Sequence, residues 1–277
     1  SSICESRDAI LARTMRPPVA AYITMMDINL IADQQLKDYD DKKIGSVFEH
    51  RKFSTAEGYQ IQAAVSRLRE QRGETLVGYK VGCVSVPLRE SMGIYHPVMG
   101  RLFATEQWPS ATHLQASDFA QPAIEGELAV RLGQSLAPDA LSDQAVMAAI
   151  DSVFAVIEMH NRVFRAKPSA PELVANNALH AGVVHALDPA HGLPDMPGPL
   201  TVEINSVPVV DVAGADLRET VITSLRWLVG ELHDQNLRLQ KDQTILCGTI
   251  AGMHGISPND TVRVITADFG SVHTRLV

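Results

Sequence analysis

In Pro122-Ala123-Ile124-Glu125-Gly126-Glu127-Leu128-Ala129-Val130, acidic residues sit two apart inside an otherwise apolar run. Strand side chains alternate between faces, so Ile124, Gly126, Leu128 and Val130 share one face. Glu125 and Glu127 share the other, with Cα atoms roughly 6.5 to 7 Å apart. The only Lys or Arg within five positions of either glutamate is Arg131. Two like charges aimed at one point in apolar surroundings are costly unless a cation joins them. Hard oxygen ligands of this kind suit Mg²⁺, Mn²⁺ or Ca²⁺ rather than zinc. The solvated outer face of an amphipathic strand would show the same spacing.

Outward from this stretch, Val153-Phe154-Ala155-Val156-Ile157 is apolar throughout, as in a strand buried on both faces, and ends in Glu158. Strand ends meet solvent and hold side chains rigidly, so a carboxylate there suits a site. It also suits a strand emerging into water. His160, two residues on, is either a supporting group or a packed histidine. On the N-terminal side, Val77-Gly78-Tyr79-Lys80-Val81-Gly82 places Lys80 between two glycines on one strand face. That leaves room for a ligand beside the ammonium. An edge lysine that discourages aggregation is the alternative. A divalent cation nearby would lower the lysine pKa, as a proton shuttle needs. His180, His185, His191 and His254 show no metal spacing.

Strand patterns dominate from Thr75 onward: Thr75 to Val86, Phe119 to Leu132, Val153 to Met159, Thr244 to Cys247 and Thr261 to Thr266, the last two closing the chain. Leu200 to Ile204 and Val207 to Val212 flank Asn205-Ser206 as a hairpin. Helical spacing marks Ile28 to Tyr39, Ala56 to Glu70 after the N-cap candidates Ser54-Thr55, Leu141 to Ile150 opened by Ser142, and Leu217 to Leu239. Residues 1–74 are expected to form an N-terminal extension and helical portion, and residues 75–277 a strand-rich catalytic portion in one compact unit with it. Ser1 to Thr24, ahead of Met25, is a tag remnant, a leader or an extension, and carries no functional weight.

The 277 residues are 45% hydrophobic and 20% charged, which fits a folded globular chain. Lys plus Arg number 24 against 32 Asp plus Glu, a formal net charge of −8, which argues against a nucleic-acid binder. Cys4, Cys83 and Cys247 form no disulfide framework, and no apolar run is long enough to span a membrane, so a cytoplasmic protein is expected. The phosphate-binding, dinucleotide, serine-hydrolase and zinc-protease signatures G-x-x-x-x-G-K-[ST], G-x-G-x-x-G, G-x-S-x-G and H-E-x-x-H are missing.

Six motifs occur in order: Gly78-Tyr79-Lys80-x-Gly82; Gly93 with His96-Pro97 and Gly100-x-Leu102; Pro122-x-Ile124-Glu125-x-Glu127; Glu158; Ala175-Asn176-Asn177-Ala178; and Cys247-Gly248-Thr249. This ordered set resembles the 2-keto-4-pentenoate hydratase and 4-oxalocrotonate decarboxylase group of the fumarylacetoacetate hydrolase superfamily, over about Ile28 to the C-terminus. The resemblance implies an α+β fold, a mixed β-sheet roll with an N-terminal helical portion, assembled as a homo-oligomer. It also implies Glu125, Glu127 and Glu158 as ligands to Mg²⁺ or Mn²⁺, with Ca²⁺ able to stand in within a crystal. Lys80 would be the acid/base residue, with Asn177 and Thr249 binding substrate. The chain departs from many relatives in having Asn176 where they have Asp, and Asn161 where they have an acid. Both changes remove negative charge and bear on the substrate and the reaction.

The expected activity is hydration of a 2-hydroxy-2,4-dienoate in aromatic-compound catabolism, a hydro-lyase reaction on a small 2-oxo or 2-hydroxydienoic acid. A 4-oxalocrotonate-type decarboxylase comes second and a C–C hydrolase of an acylpyruvate third. The non-enzymatic alternative is a metal-stabilised binding relative that has lost catalysis.

Overall fold

The computed structural model describes residues 25–45, 48, 52–139, 141–164 and 167–277. Ser1 to Thr24 lies outside them. Two helices come first, α1 (Met25–Asp40) and α2 (Thr55–Gln71). Ser54 starts α2 with a capping box: Glu57 N donates to Ser54 Oγ, and Ser54 N donates to the Glu57 carboxylate at 2.7 Å. Gln62 Nε2 then ties α2 to the rest of the chain by donating to Met99 O and Val174 O, both at 2.9 Å.

The remaining elements are β1 (Leu76–Gly82), α3 (Val86–Met92), β2 (Val98–Phe103), β3 (Gln107–Pro109), β4 (His113–Leu114), β5 (Pro122–Leu132), α4 (Asp143–Ala149), β6 (Ile150–Asn161), α5 (Ala170–Ala175) and β7 (His180–His185), followed by β8 (Ala190–His191), β9 (Leu200–Ile204), β10 (Val207–Val212), α6 (Gly214–Asp234), β11 (Thr244–Leu246), β12 (His254–Gly255), β13 (Thr261–Thr266) and β14 (Ser271–Leu276). They build two sheets. The larger runs β2-β1-β11-β5-β6-β7-β3, with β12 on β5 and β8 on β6, and the smaller runs β10-β9-β13-β14-β4. Parallel pairs (β1/β11, β3/β7) mix with antiparallel ones, which makes the expected mixed α+β roll.

The alternation read from Pro122 to Val130 fixes how the sheets meet. Gly126 admits the side chains of the smaller sheet: a Cβ there would sit 2.5 Å from Val202 and 2.9 Å from Val264. Ile124, Leu128, Val130, Val202 and Val264 are all at most 1% exposed. The other face of β5 is left to the glutamates. α6 covers the core with Leu217, Val221, Leu225, Leu228 and Leu232, spaced for one helix face and all buried.

Several boundaries differ from the sequence expectation. The strand expected over Thr75 to Val86 stops at Gly82, because Cys83 takes a positive φ (57°) and Pro87 sits in the first turn of α3. β5 begins at Pro122 rather than Phe119, since a short helical turn occupies Ala116–Asp118 and Gln121 has φ 50°. The last helix runs Gly214–Asp234, ending early where Asn236 takes φ 58°. A further strand, β14, follows the expected final pair; its alternation of Val272, Thr274 and Leu276 with exposed residues is short and polar. The hairpin at Asn205-Ser206 has φ 53° and 63°, the two positive values a type I′ turn requires.

Candidate active site

Register brings the acids together. β5 and β6 pair antiparallel with Glu125 opposite Glu158 and Ala123 opposite His160, so Glu125, Glu127, Glu158 and His160 share one face. The ligand atoms of Glu125, Glu158 and His160 lie within 4.8 Å of one another. His160 Nε2 is 3.2 Å from Glu125 Oε2 and 3.5 Å from Glu158 Oε2. His180, entering from β7, places Nδ1 2.8 Å from Glu158 Oε1. The sequence had named Glu127 as the third member; its carboxylate is 1% exposed and neither oxygen has a hydrogen-bond partner.

Lys80 arrives from the far side of the same sheet. Between β1 and β6 lie β11 and β5, three strand spacings or about 14 Å if the sheet were flat. Lys80 Nζ nevertheless sits 3.1 Å from Glu158 Oε1, so the sheet curls strongly and its concave side forms the site. Ala178 O accepts from the same Nζ at 3.4 Å. The flanking glycines do different jobs. Gly82 leaves space 3.4 Å from Nζ, as expected, whereas a Cβ at Gly78 would overlap Thr244 O, so Gly78 serves the close approach of β11 and not a ligand. Gly100, paired with Lys80 across β2, clears the lysine stem: a Cβ there would lie 2.9 Å from Lys80 Cγ.

Electrostatics follow from burial plus mutual charge. Burial alone pulls the Lys80 ammonium toward neutrality, but Glu158, Glu125 and Glu127 outweigh it and the net shift is upward. The neighbouring carboxylates thus hold Lys80 as an ammonium. Burial and the charge of Glu158 hold the Glu127 carboxyl well above the usual carboxylate range. Glu158 is driven the opposite way: burial opposes its ionisation, yet Lys80 and His160 win and leave it well below that range. Burial disfavours the His160 imidazolium, but Glu158 and Glu125 push its pKa up to about 9. Three carboxylates around one lysine, with the oxygens of Glu127 and Oε2 of Glu158 buried and without a hydrogen bond, are a donor set that a hard divalent cation would satisfy.

A pocket of about 190 Å³ opens onto Lys80, Glu125 and His160 and is walled by apolar side chains, among them Leu88, Met92, Leu173 and Met253. The two other residues named from sequence bond protein backbone. Asn177 Oδ1 accepts from Arg101 N (2.7 Å) and its Nδ2 donates to Arg101 O (2.9 Å). This fixes the turn Asn177-Ala178-Leu179, where all three φ values are positive, and so places Ala178 O under Lys80. Thr249 Oγ1 donates to Gly126 O (3.0 Å) and accepts from Ala251 N (2.9 Å). Asn161 spends its Oδ1 on Ala120 N, holding the entry to β5. Asn176 accepts from Gln35 of α1. Neither asparagine lines this pocket.

Residues 102–277 match the family model described as fumarylacetoacetate (FAA) hydrolase C-terminal. The chain belongs to this family. All of the glutamate and histidine cluster lies inside the matched range, while Lys80 and the two N-terminal helices precede it. As a fumarylacetoacetate hydrolase family member, the chain is 27% identical to a 2-keto-4-pentenoate hydratase of Paraburkholderia xenovorans (strain LB400), over 79% of this chain and 82% of that one. It is also 27% identical to a 4-oxalocrotonate decarboxylase of Pseudomonas putida, over 89% of this chain and 94% of the relative. The fold is shared with the structure of 4-oxalocrotonate decarboxylase from Pseudomonas putida G7 complexed with magnesium and adipate: TM-score 0.85, 24% identity, 92% of this chain and 98% of that chain.

Proposed function

We propose that this family member is a metal-dependent hydro-lyase that adds water to a 2-hydroxy-2,4-dienoate of the 2-keto-4-pentenoate type in aromatic-compound catabolism. The observation that carries the reading is the buried carboxylate cluster with unpartnered oxygens, set beside Lys80 at the floor of a small pocket. The hydratase relatives support the reaction class.

In this reading Glu125, Glu127 and Glu158 hold Mg²⁺ or Mn²⁺, and His160 is a fourth candidate ligand. The magnesium and the manganese bound in structures of similar fold support this choice. Such an ion, when bound, supplies the Lewis acidity that withdraws electrons from the 2-oxygen of a 2-oxo acid. The chain's own residues do the rest. Lys80, held as an ammonium by the carboxylates, gives its proton to C5 of the dienol and takes up the 2-hydroxyl proton in return, leaving the conjugated 2-oxo-3-enoate and the ammonium restored. Water then adds at C4 while C3 takes up a proton. His180 fixes Glu158, and the Asn177-Ala178 turn fixes Lys80. Asn177 and Thr249 act through the backbone they hold, and the apolar wall excludes bulk water. A cytoplasmic homo-oligomer completes the proposal; light scattering on purified protein tests the assembly.

A decarboxylase is the second reading, favoured by the larger share of the chain that aligns with the decarboxylase relatives. The test is loss of dienoate absorbance when 2-hydroxypenta-2,4-dienoate meets the Mg²⁺- or Mn²⁺-loaded protein, with CO₂ release followed on 4-oxalocrotonate. Hydration that stops on chelation is expected. CO₂ release without hydration would favour the decarboxylase, and no turnover of either substrate would leave the non-catalytic binding relative.

A further inference from the structure

Behind the strand that backs Lys80 lies a second, smaller cavity of about 30 Å³ between α1, α2, α5 and β2. Arg101 projects to this side of β2, opposite to the face of Gly100 and Lys80. It is 6% exposed, its Nε has no partner, and among the described residues no carboxylate lies in ion-pair range of its guanidinium. Buried arginines are normally paired, because an uncompensated buried charge is costly. The other charge on the cavity wall does not help. Arg69 is also a cation, and its neighbours Glu74 and Glu106 are committed to it at 2.5 and 2.7 Å. Glu70, the acid that acts on Arg101 at longer range, accepts at 2.8 Å from Ser66 Oγ, itself on the cavity wall.

We propose that this cavity binds a small inorganic monoanion of the chloride class, which pairs with the Arg101 guanidinium. The size of the space argues for a monatomic ion: a water-sized particle needs about 10–15 Å³ by this measure, so there is room for the anion and one water. The water has its own partner, since Gln62 Oε1 is buried and unpartnered while Gln62 Nε2 is already bonded to two carbonyls. Occupancy would matter to the catalytic face. Arg101's backbone N and O are the groups that grip Asn177, whose turn presents Ala178 O to Lys80. The site rests on Arg101's surroundings and not on the proposed reaction.

The test is thermal melting of the metal-loaded full chain in sodium chloride and in sodium gluconate at matched ionic strength, gluconate being too large for the cavity. With chloride at about ten times its Kd, the melting temperature should rise by roughly 3–5 °C over gluconate. Arg101→Met should lose that increment. Asn176→Asp, which puts a carboxylate on the same wall, should raise melting in gluconate and abolish the response to chloride. Equal melting of the wild type in both salts, or an increment retained by Arg101→Met, would overturn the site. Should Arg101→Met fail to fold, bromide-soaked wild-type crystals decide: an anomalous peak at hydrogen-bond distance from the guanidinium supports the proposal, and ordered water alone refutes it.

Discussion

Replacing Lys80 by Met separates the two tasks that the structure assigns to one ammonium. Lys80 is 2% exposed and Glu158 is 0% exposed, with 3.1 Å between Nζ and Oε1. Removing one partner of such a buried pair costs about 3–5 kcal/mol. In the chelated protein this should lower the melting temperature by about 10 °C. The sign changes when a cation is supplied. Three formal carboxylates and one ammonium balance a divalent ion; without the ammonium the cluster is one charge more negative and loses a cation that repels the metal. Lys80→Met should therefore bind Mg²⁺ at least as tightly as the wild type and recover much of its melting temperature on metal addition. Turnover should not recover: loss of a general acid lowers it by roughly 10²- to 10⁴-fold, about 2.7–5.4 kcal/mol of barrier. The assay pairs melting curves in chelator and in saturating Mg²⁺ with kcat on the dienoate. Unchanged kcat at saturating metal would remove Lys80 from proton transfer, and equal destabilisation in both buffers would refute the charge sharing with Glu158.

Other consequences can be checked separately. His180→Gln, which loosens the 2.8 Å contact to Glu158, should weaken metal affinity by roughly 10- to 100-fold in a calorimetric titration. Gly126→Ala should destabilise the fold by about 1–3 kcal/mol in urea melts, because its Cβ would press on Val202 and Val264. Acid stability should follow Glu74. Burial raises its pKa, but hydrogen bonds from Arg69 and Arg72 outweigh this and the folded value lies below the ordinary 4.5. Its contribution is thus fully present above about pH 4.5 and is lost as pH falls through the lowered value. Arg69→Met should flatten the stability profile between pH 5 and 3.

The glutamate cluster was legible because strand alternation is a strict period of two, and the same period would have placed His160 beside Glu158. The alternative of a packed histidine kept it out of the ligand set. His180 was hidden, since β6 and β7 pair through a register shift at Met159/His160 that no local pattern announces. The curl that carries Lys80 across three strand spacings is a property of the whole sheet. Gly78 showed how ambiguous a strand glycine is: clearing a ligand and admitting a neighbouring backbone leave the same letter in the sequence. Arg101 carried no signal at all, because its isolation depends on which side chains of α1, α2 and α5 surround it. The ends of β1, β5 and α6 were misplaced where non-glycine residues Cys83, Gln121 and Asn236 adopt positive φ, which propensity does not foresee.

The central claim is that Glu125 and Glu127 form part of a cation site. It is tested most directly by melting the exhaustively chelated wild type and Glu125→Gln/Glu127→Gln side by side, then adding Mg²⁺ or Mn²⁺. A metal-dependent rise in the wild type that the double variant lacks is the expected result; the same rise in both, or in neither, would contradict it.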